Sequence, residues 1–229
     1  MKIVAISDTH GLHGLVPELP EADVFIHAGD FMNSGRYVDE VLSFNNWLDS
    51  LTIPRERRLI VAGNHDLRFD ETHHQSSPKV AAKARELLSN CVYLQDQETT
   101  INGVKFYFSP WTPRFFNWGF NADRGAEIKK HWDKIPDDVE VLVTHGPPIG
   151  ILDTVAPRQT PRLGCQDLYN RVKELKHLKY HIFGHIHASR GQTVYRMEGK
   201  MVDPVFVNAS FLNEDYRPHS GPGHFLLEI

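Results

Sequence analysis

Five short clusters of polar residues carry the chemistry that can be read in this chain: Asp8-Thr9-His10, Gly29-Asp30, Gly63-Asn64-His65-Asp66, Thr144-His145-Gly146 and Gly184-His185-Ile186-His187. Carboxylate, imidazole and amide oxygen are donors for first-row metal ions, and no thiolate stands among them. Together the clusters describe a site for two ions. Two cations held about 3.5 to 4 Å apart need an anionic ligand between them to offset their repulsion, and Asp30 is the candidate bridge. The mixture of borderline and hard donors suits Mn²⁺, Fe²⁺ or Fe³⁺, or Zn²⁺, and argues against an all-oxygen calcium site.

The clusters need a frame, and the sequence supplies one. Each closes a short run rich in Val, Ile and aromatic residues (residues 2–6, 24–28, 59–62, 139–143 and 180–183), as buried strands do. Loops at the carboxyl ends of such strands are where α/β sheets place their sites. Between them, Val38, Val41, Leu42, Phe44, Trp47, Leu48 and Leu51 recur at helical spacing over residues 37–51. Ser77-Pro78 reads as an N-cap followed by proline in the first helical position, opening a helix to about residue 88, with further helices near 126–134 and 167–175. Asn102-Gly103 suits a type I′ hairpin turn between strands at 99–101 and 104–108. Short β runs at 193–197, 205–207 and 225–227 follow. The pattern predicts an α/β fold with two mixed sheets packed face to face and helices outside.

Composition narrows the class. A chain of 229 residues with 41% hydrophobic content can bury a substantial core, and without a linker, repeat or low-complexity tract it reads as a single domain over residues 1–229. No charged-then-apolar leader and no run of membrane-spanning length is present, which predicts a cytoplasmic protein with no membrane partner. Cys91 and Cys165 are too few for a disulfide framework and are expected as reduced thiols. A net charge of -4 offers no basic footprint for a nucleic-acid polymer.

The order and spelling of the clusters resemble the calcineurin-like metallophosphoesterases, whose Asp-x-His, Gly-Asp, Gly-Asn-His-Asp/Glu, lone His and Gly-His-x-His series is complete between Asp8 and His187. Asn46-Trp47-Leu48, Ser109-Pro110-Trp111, Trp118-Gly119-Phe120-Asn121 and Val207-Asn208-Ala209-Ser210 are similar to the subgroup containing the brain metallophosphoesterase-domain proteins and class III cyclic nucleotide phosphodiesterases. The resemblance implies a four-layer α-β-β-α sandwich. It also implies that Asp8, His10 and His187 complete one ion with Asp30, while Asn64, His145 and His185 complete the other. Since Asn64 already serves as ligand in its turn, His65 is expected to face substrate as general acid, while a hydroxide shared by the ions attacks phosphorus in line.

One departure bears on catalysis. Protein serine/threonine phosphatases of this family carry Gly-Asp-x-x-Asp-Arg-Gly, whereas this chain has Gly29-Asp30-Phe31-Met32-Asn33-Ser34-Gly35. Asn33 can accept a hydrogen bond from His65, but a neutral amide holds an imidazolium less strongly than a carboxylate does. Ser34 cannot replace arginine in gripping phosphate; Arg36 either reaches the phosphate or is a solvated residue opening the helix. Residues 109–118 are aromatic for a loop, and two readings fit: Trp111 and its neighbours stack a base while Arg114 meets phosphate, or the segment is a packed Ω-like loop. His13 and His74 are further substrate-contact candidates. Residues 155–164, with Pro157, Arg158, Pro161 and Arg162, suggest a wall or lid, and Cys165 is expected to open a helix that acidifies it. The leading functional reading is a dinuclear metal-dependent phosphodiesterase of small phosphate esters such as cyclic nucleotides. A phosphomonoesterase acting on small molecules or proteins comes second, with a nuclease and a catalytically silent scaffold behind it.

Overall fold

Strand-forming runs and amphipathic helices alternate along most of the chain, in a computed structural model that describes residues 1–155 and 162–229. In order they are β1 (Lys2–Ile6), β2 (Val24–His27), α1 (Val38–Asp49), β3 (Arg58–Ile60), α2 (Pro78–Leu87), β4 (Val92–Tyr93), β5 (Gln97–Ile101), β6 (Val104–Ser109), β7 (Thr112–Pro113), β8 (Asn121–Ala122), α3 (Ala126–Trp132), β9 (Val141–Thr144), α4 (Gln166–Glu174), β10 (Tyr180–Phe183), β11 (Gly191–Val194), β12 (Val205–Asn208) and β13 (Phe225–Glu228). The first sheet runs β13-β1-β2-β3-β4 and the second β11-β12-β10-β9-β6-β5. The inner strands of both are parallel; β13, β11 and β5 pair antiparallel with their neighbours.

The two sheets meet face to face, because alternate residues of each strand are apolar on both sides. Ile3, Ala5, Ile26 and Val61 of the first sheet share one core with Phe106, Val143, Ile182 and Val207 of the second. On the outer face of the first sheet, Val4, Ile6 and Phe25 pack against Val41, Phe44 and Leu48 of α1 and Ala84 of α2. On the outer face of the second, Leu142, Phe183 and Phe206 pack against Ile128 and Trp132 of α3 and Leu168 and Val172 of α4. This is the expected α-β-β-α sandwich. Truncating a fully buried aromatic such as Phe44 to alanine would cost roughly 3–5 kcal/mol.

Local signals decide the boundaries. Ser77 caps α2 by accepting the Val80 N–H at 3.2 Å, with Pro78 at its first turn. Asn102 and Gly103 both adopt positive φ, 50° and 81°, as a type I′ turn requires. Within the aromatic segment, Thr112 and Pro113 pair with Asn121 and Ala122 in a small parallel ribbon, and Trp111 turns inward to Asp96. Of the expected wall, Pro157, Arg158 and Pro161 lie outside the described residues. Among the described residues no helix is long and apolar enough to cross a membrane. Cys91 and Cys165 are both free and buried. Cys165 is the N-cap of α4, where its Sγ accepts the Leu168 N–H, but burial outweighs the helix terminus and pushes the thiol up, the opposite of the acidification expected.

Candidate metal centre

All five polar clusters arrive at one edge of the sandwich, where strands of both sheets end. The price in backbone strain is visible: Asp8, His10, Asp30 and His185 all hold positive φ (53°, 41°, 55° and 69°), a region costing non-glycine residues on the order of 1–3 kcal/mol each. The turns survive because each is tied to another. The Asp8 N–H donates to the Gly29 carbonyl and the His10 N–H to the Asp30 carbonyl, both at 2.9 Å. Glycine is required where turns meet, since a Cβ on Gly184 would collide with the Asp8 carboxylate and one on Gly63 with that of Asp30.

The side chains form two groups with Asp30 between them. Asp8, His10 and His187 present donor atoms within 4.8 Å of one another, as do Asp30, His145 and His185. His10 Nε2 lies 3.2 Å from His187 Nε2 and 3.7 Å from Asp30 Oδ2; His145 Nε2 lies 3.3 Å from the same oxygen and 2.9 Å from Asn64 Oδ1. The far side of each ring fixes which nitrogen is bare. His145 donates through Nδ1 to the Ala28 carbonyl and His187 through Nδ1 to the Asn213 carbonyl. Their Nε2 lone pairs therefore point at carboxylate and amide oxygens, an arrangement that repels unless a cation or proton lies between.

Electrostatics make the same demand. Burial alone would lower the pKa of His145 and His187, but the charges and hydrogen bonds of Asp30 and Asp8 respectively outweigh it and raise both to about 9. Burial would raise the two carboxyls, yet Asp8 is held below the ordinary carboxylate range by His187, and Asp30 well below it by His145 and His65. His10 and His185 are driven down by burial, to about 4 and about 3. The pocket holds two carboxylates and calls in protons where cations would serve, so its donors fit a pair of metal ions.

Deeper groups brace the turns; the motifs contain Asp66 and Ser210 but give neither a role, and they do not show His27 or His181. Asp66, fully buried, accepts the N–H groups of Asp30, Met32 and Gly63 at 2.9, 2.8 and 2.6 Å. Burial and the charge of Asp30 hold its carboxyl well above the usual range. His27 at the end of β2 accepts the Gly29 N–H on Nδ1 and lies 3.0 Å from Thr9 Oγ1 through Nε2. His181 in β10 stands 2.8 Å from Thr144 Oγ1, whose proton goes to the Gly146 carbonyl. Each sheet thus has a buried neutral imidazole, lowered to about 3, tied to a threonine beside the polar cluster. Ser210 Oγ lies 2.8 Å from Asp8 Oδ2.

His65 belongs to neither trio, although its ring nitrogen lies within 4.8 Å of donor atoms of His10 and Asp30, a third group that shares members with both. Its N–H is held by Asp30 Oδ1, and its Nδ1 donates to the main-chain carbonyl of Asn33 at 2.6 Å. The expected partner is therefore the Asn33 backbone and not its amide side chain. Glu40 of α1 fixes that turn by accepting the N–H groups of Asn33 and Ser34.

A cavity of about 290 Å³ opens over Asp30, Asn64, His65, His185 and His187. Of the expected substrate contacts only Arg114 lines it, and its guanidinium is paired with Asp123. Trp111 lies elsewhere, donating to Asp96 and stacked on His131 at 3.8 Å. His13 is buried against Phe44 with its Nε2 on Ser43, because the chain after Asp8-Thr9-His10 turns back under α1. His74 is exposed and meets the Asn117 amide; Arg36 is solvated, as its alternative reading had it. The walls come from Phe115, Trp118 and Tyr216, together with Val155 and Leu163 of the segment expected to form a wall. Trp118 shows in the sequence as part of an aromatic run and of the Trp118-Gly119-Phe120-Asn121 stretch, and Tyr216 carries no signal.

The model of calcineurin-like phosphoesterases matches residues 1–189, most of the chain. The chain belongs to that family. As a calcineurin-like phosphoesterase it is a metallophosphoesterase, an enzyme of the phosphoric ester hydrolase class that uses divalent metals. It is 39% identical to human metallophosphoesterase domain-containing protein 1 over 238 residues, covering 96% of this chain and 69% of the human one, and the mouse protein of the same name matches equally. The phosphoesterase also superposes on a crystal structure from Thermus thermophilus with a TM-score of 0.57 at 14% identity, covering 90% of this chain and 88% of that one; at that identity the likeness concerns the fold.

Proposed function

We propose that this metallophosphoesterase hydrolyses small phosphodiesters, cyclic nucleotides being the leading class, at a two-metal centre. Asp8, His10, Asp30 and His187 would hold one ion, and Asp30, Asn64, His145 and His185 the other. The observation that carries the reading is the position of Asp30, whose carboxylate stands within 3.7 Å of His10 Nε2 and 3.3 Å of His145 Nε2, between the two groups. When bound, the ions supply Lewis-acid activation of water and withdraw charge from the phosphoryl oxygens.

The rest falls to the protein. Asp66 and the glycine turns orient Asp30 and Asn64 before substrate arrives, so little reorganisation is left for the reaction. His65 has Nδ1–H committed to the Asn33 carbonyl, which leaves Nε2 as the atom that holds and delivers a proton to the departing oxygen. Phe115 and Trp118 offer apolar faces to the ester's substituent, as stacking of a base would use.

Elemental analysis of the purified protein, combined with turnover of bis-para-nitrophenyl phosphate against para-nitrophenyl phosphate in Mn²⁺, tests the reading. We expect two ions per chain and faster turnover of the diester. A single ion, or a preference for the monoester, would overturn it in favour of the phosphomonoesterase alternative.

A further inference from the structure

The turn at residues 213–219 lies beyond the family match, which ends at residue 189, yet it closes over the same site. Asn213 organises it. Its Oδ1 accepts the N–H groups of Asp215 and Arg217, both at 3.0 Å, and its carbonyl accepts the Tyr216 N–H at 2.9 Å and the His187 Nδ1–H at 3.1 Å. Two further bonds fasten the turn to the strand end that carries His187. His219 Nε2 donates to the His187 carbonyl at 3.0 Å, and Glu214 accepts the Ala188 N–H at 2.9 Å.

The consequence falls on Tyr216. Its backbone is forced to φ 56°, uncommon for a bulky residue and sustained only by the bonds around it. Its ring meets His10 edge-on at 4.9 Å and His187 at 5.6 Å between centroids, and it lines the cavity with Asp30, Asn64 and His65. A tyrosine recruited only for packing would be buried; this one is 44% exposed and its hydroxyl engages no described residue. A strained turn anchored to the centre, presenting an unengaged phenol at its rim, is built to touch what binds there.

We propose that Tyr216 is a substrate-contacting residue whose phenol O–H donates a hydrogen bond to a non-bridging oxygen of the phosphate ester. This rests on the two-metal phosphodiesterase reading above and supplies a phosphate donor in a chain where Ser34 stands in place of the arginine of protein serine/threonine phosphatases. A phenol is neutral at pH 7, so it gives direction to the phosphate without adding charge to the site.

Tyr216→Phe removes only the hydroxyl, and Tyr216→Leu removes ring and hydroxyl together. Each would be measured against the unaltered protein for metal content, for kcat/KM on bis-para-nitrophenyl phosphate, and for affinity for inorganic phosphate by calorimetry on the Zn²⁺-loaded protein. A hydrogen bond to a charged oxygen corresponds to roughly a ten- to hundredfold effect, so Tyr216→Phe should lose about that factor in kcat/KM and weaken phosphate binding while keeping both ions. Unchanged kcat/KM and phosphate affinity in Tyr216→Phe would overturn the assignment, and a loss confined to Tyr216→Leu would make the ring an apolar wall only, which also overturns it. The two proposals fail separately. An unaltered protein that is inactive on the diester overturns the phosphodiesterase reading, and phosphate affinity then decides the role of Tyr216 alone.

Discussion

The indole of Trp118 lies flat against the imidazole of His65, ring centroids 4.0 Å apart and planes inclined by 22°. His10 closes the other side, edge-on at 4.5 Å. Together with the 2.6 Å bond to the Asn33 carbonyl, these contacts leave the His65 ring one orientation. Trp118→Leu should therefore cost turnover through disorder of His65, by about tenfold within the 10² to 10⁴ that general acid catalysis typically supplies. Metal content should not change, because Trp118 belongs to neither ligand group. Equal kcat in Trp118→Leu and the unaltered protein would show that the stack does not position His65.

His65 itself should reveal its task through the leaving group. A para-nitrophenolate departs without help, whereas an alkoxide or ribose oxygen needs a proton, so His65→Ala should slow alkyl and ribose diesters by about 10² to 10⁴ and para-nitrophenyl diesters far less. Occupancy of both ions should remain two in elemental analysis. Loss of an ion would make His65 a ligand, and equal slowing of both leaving groups would make it a ground-state binding residue.

Asp66 carries a prediction of a different kind, since it braces the ligand turns and does not face the cavity. Its carboxylate satisfies three buried N–H groups, two on Oδ2 and one on Oδ1. Asp66→Asn turns one oxygen into a donor that confronts donors, at a cost of about 1–3 kcal/mol for each group left unpaired. The melting temperature should fall, and the turns bearing Asp30 and Asn64 should loosen enough to weaken metal binding in a titration. A variant that melts and binds like the unaltered protein would leave Asp66 with no bracing role.

What could be read in the sequence divides along physical lines. Residues that end apolar runs declare themselves, because chain direction alone brings Asp8, Asp30, Asn64, His145 and His185 to one sheet edge. The hairpin at Asn102-Gly103 and the cap at Ser77 were equally legible, being set by neighbours within four residues. His27 and His181 were hidden inside apolar runs, and nothing local distinguishes a brace from a tolerated core histidine. The same limit applies to Trp111, whose indole goes to Asp96 because the β7-β8 ribbon turns it inward, a pairing across nine residues. Tyr216 depends on a contact between residues far apart in sequence, Asn213 with His187, which no motif records.

The histidines predict how stability of the metal-free protein varies with pH. His10, His27, His181 and His185 have folded-state pKa values lowered by burial, to about 4, 3, 3 and 3, so between about pH 4 and their unfolded value of about 6.5 these four sites bind more protons in the unfolded chain than in the folded one. Stability should rise with pH across that window, with Asp66, raised in the folded state, opposing. His145 and His187 work the other way: raised to about 9, they contribute stability that is fully present below about pH 6.5 and lost as pH climbs through 9. The metal-free protein should therefore be most stable near pH 6.5 and fall away on both sides. Bound ions would replace those two protons, so the alkaline decline should disappear on loading. Thermal melts with chelator and with Mn²⁺ at pH 6.5 and 8.5 check this, and the gap in melting temperature should widen at the higher pH. A gap that stays constant, or narrows, would mean that His145 and His187 do not exchange protons for metal.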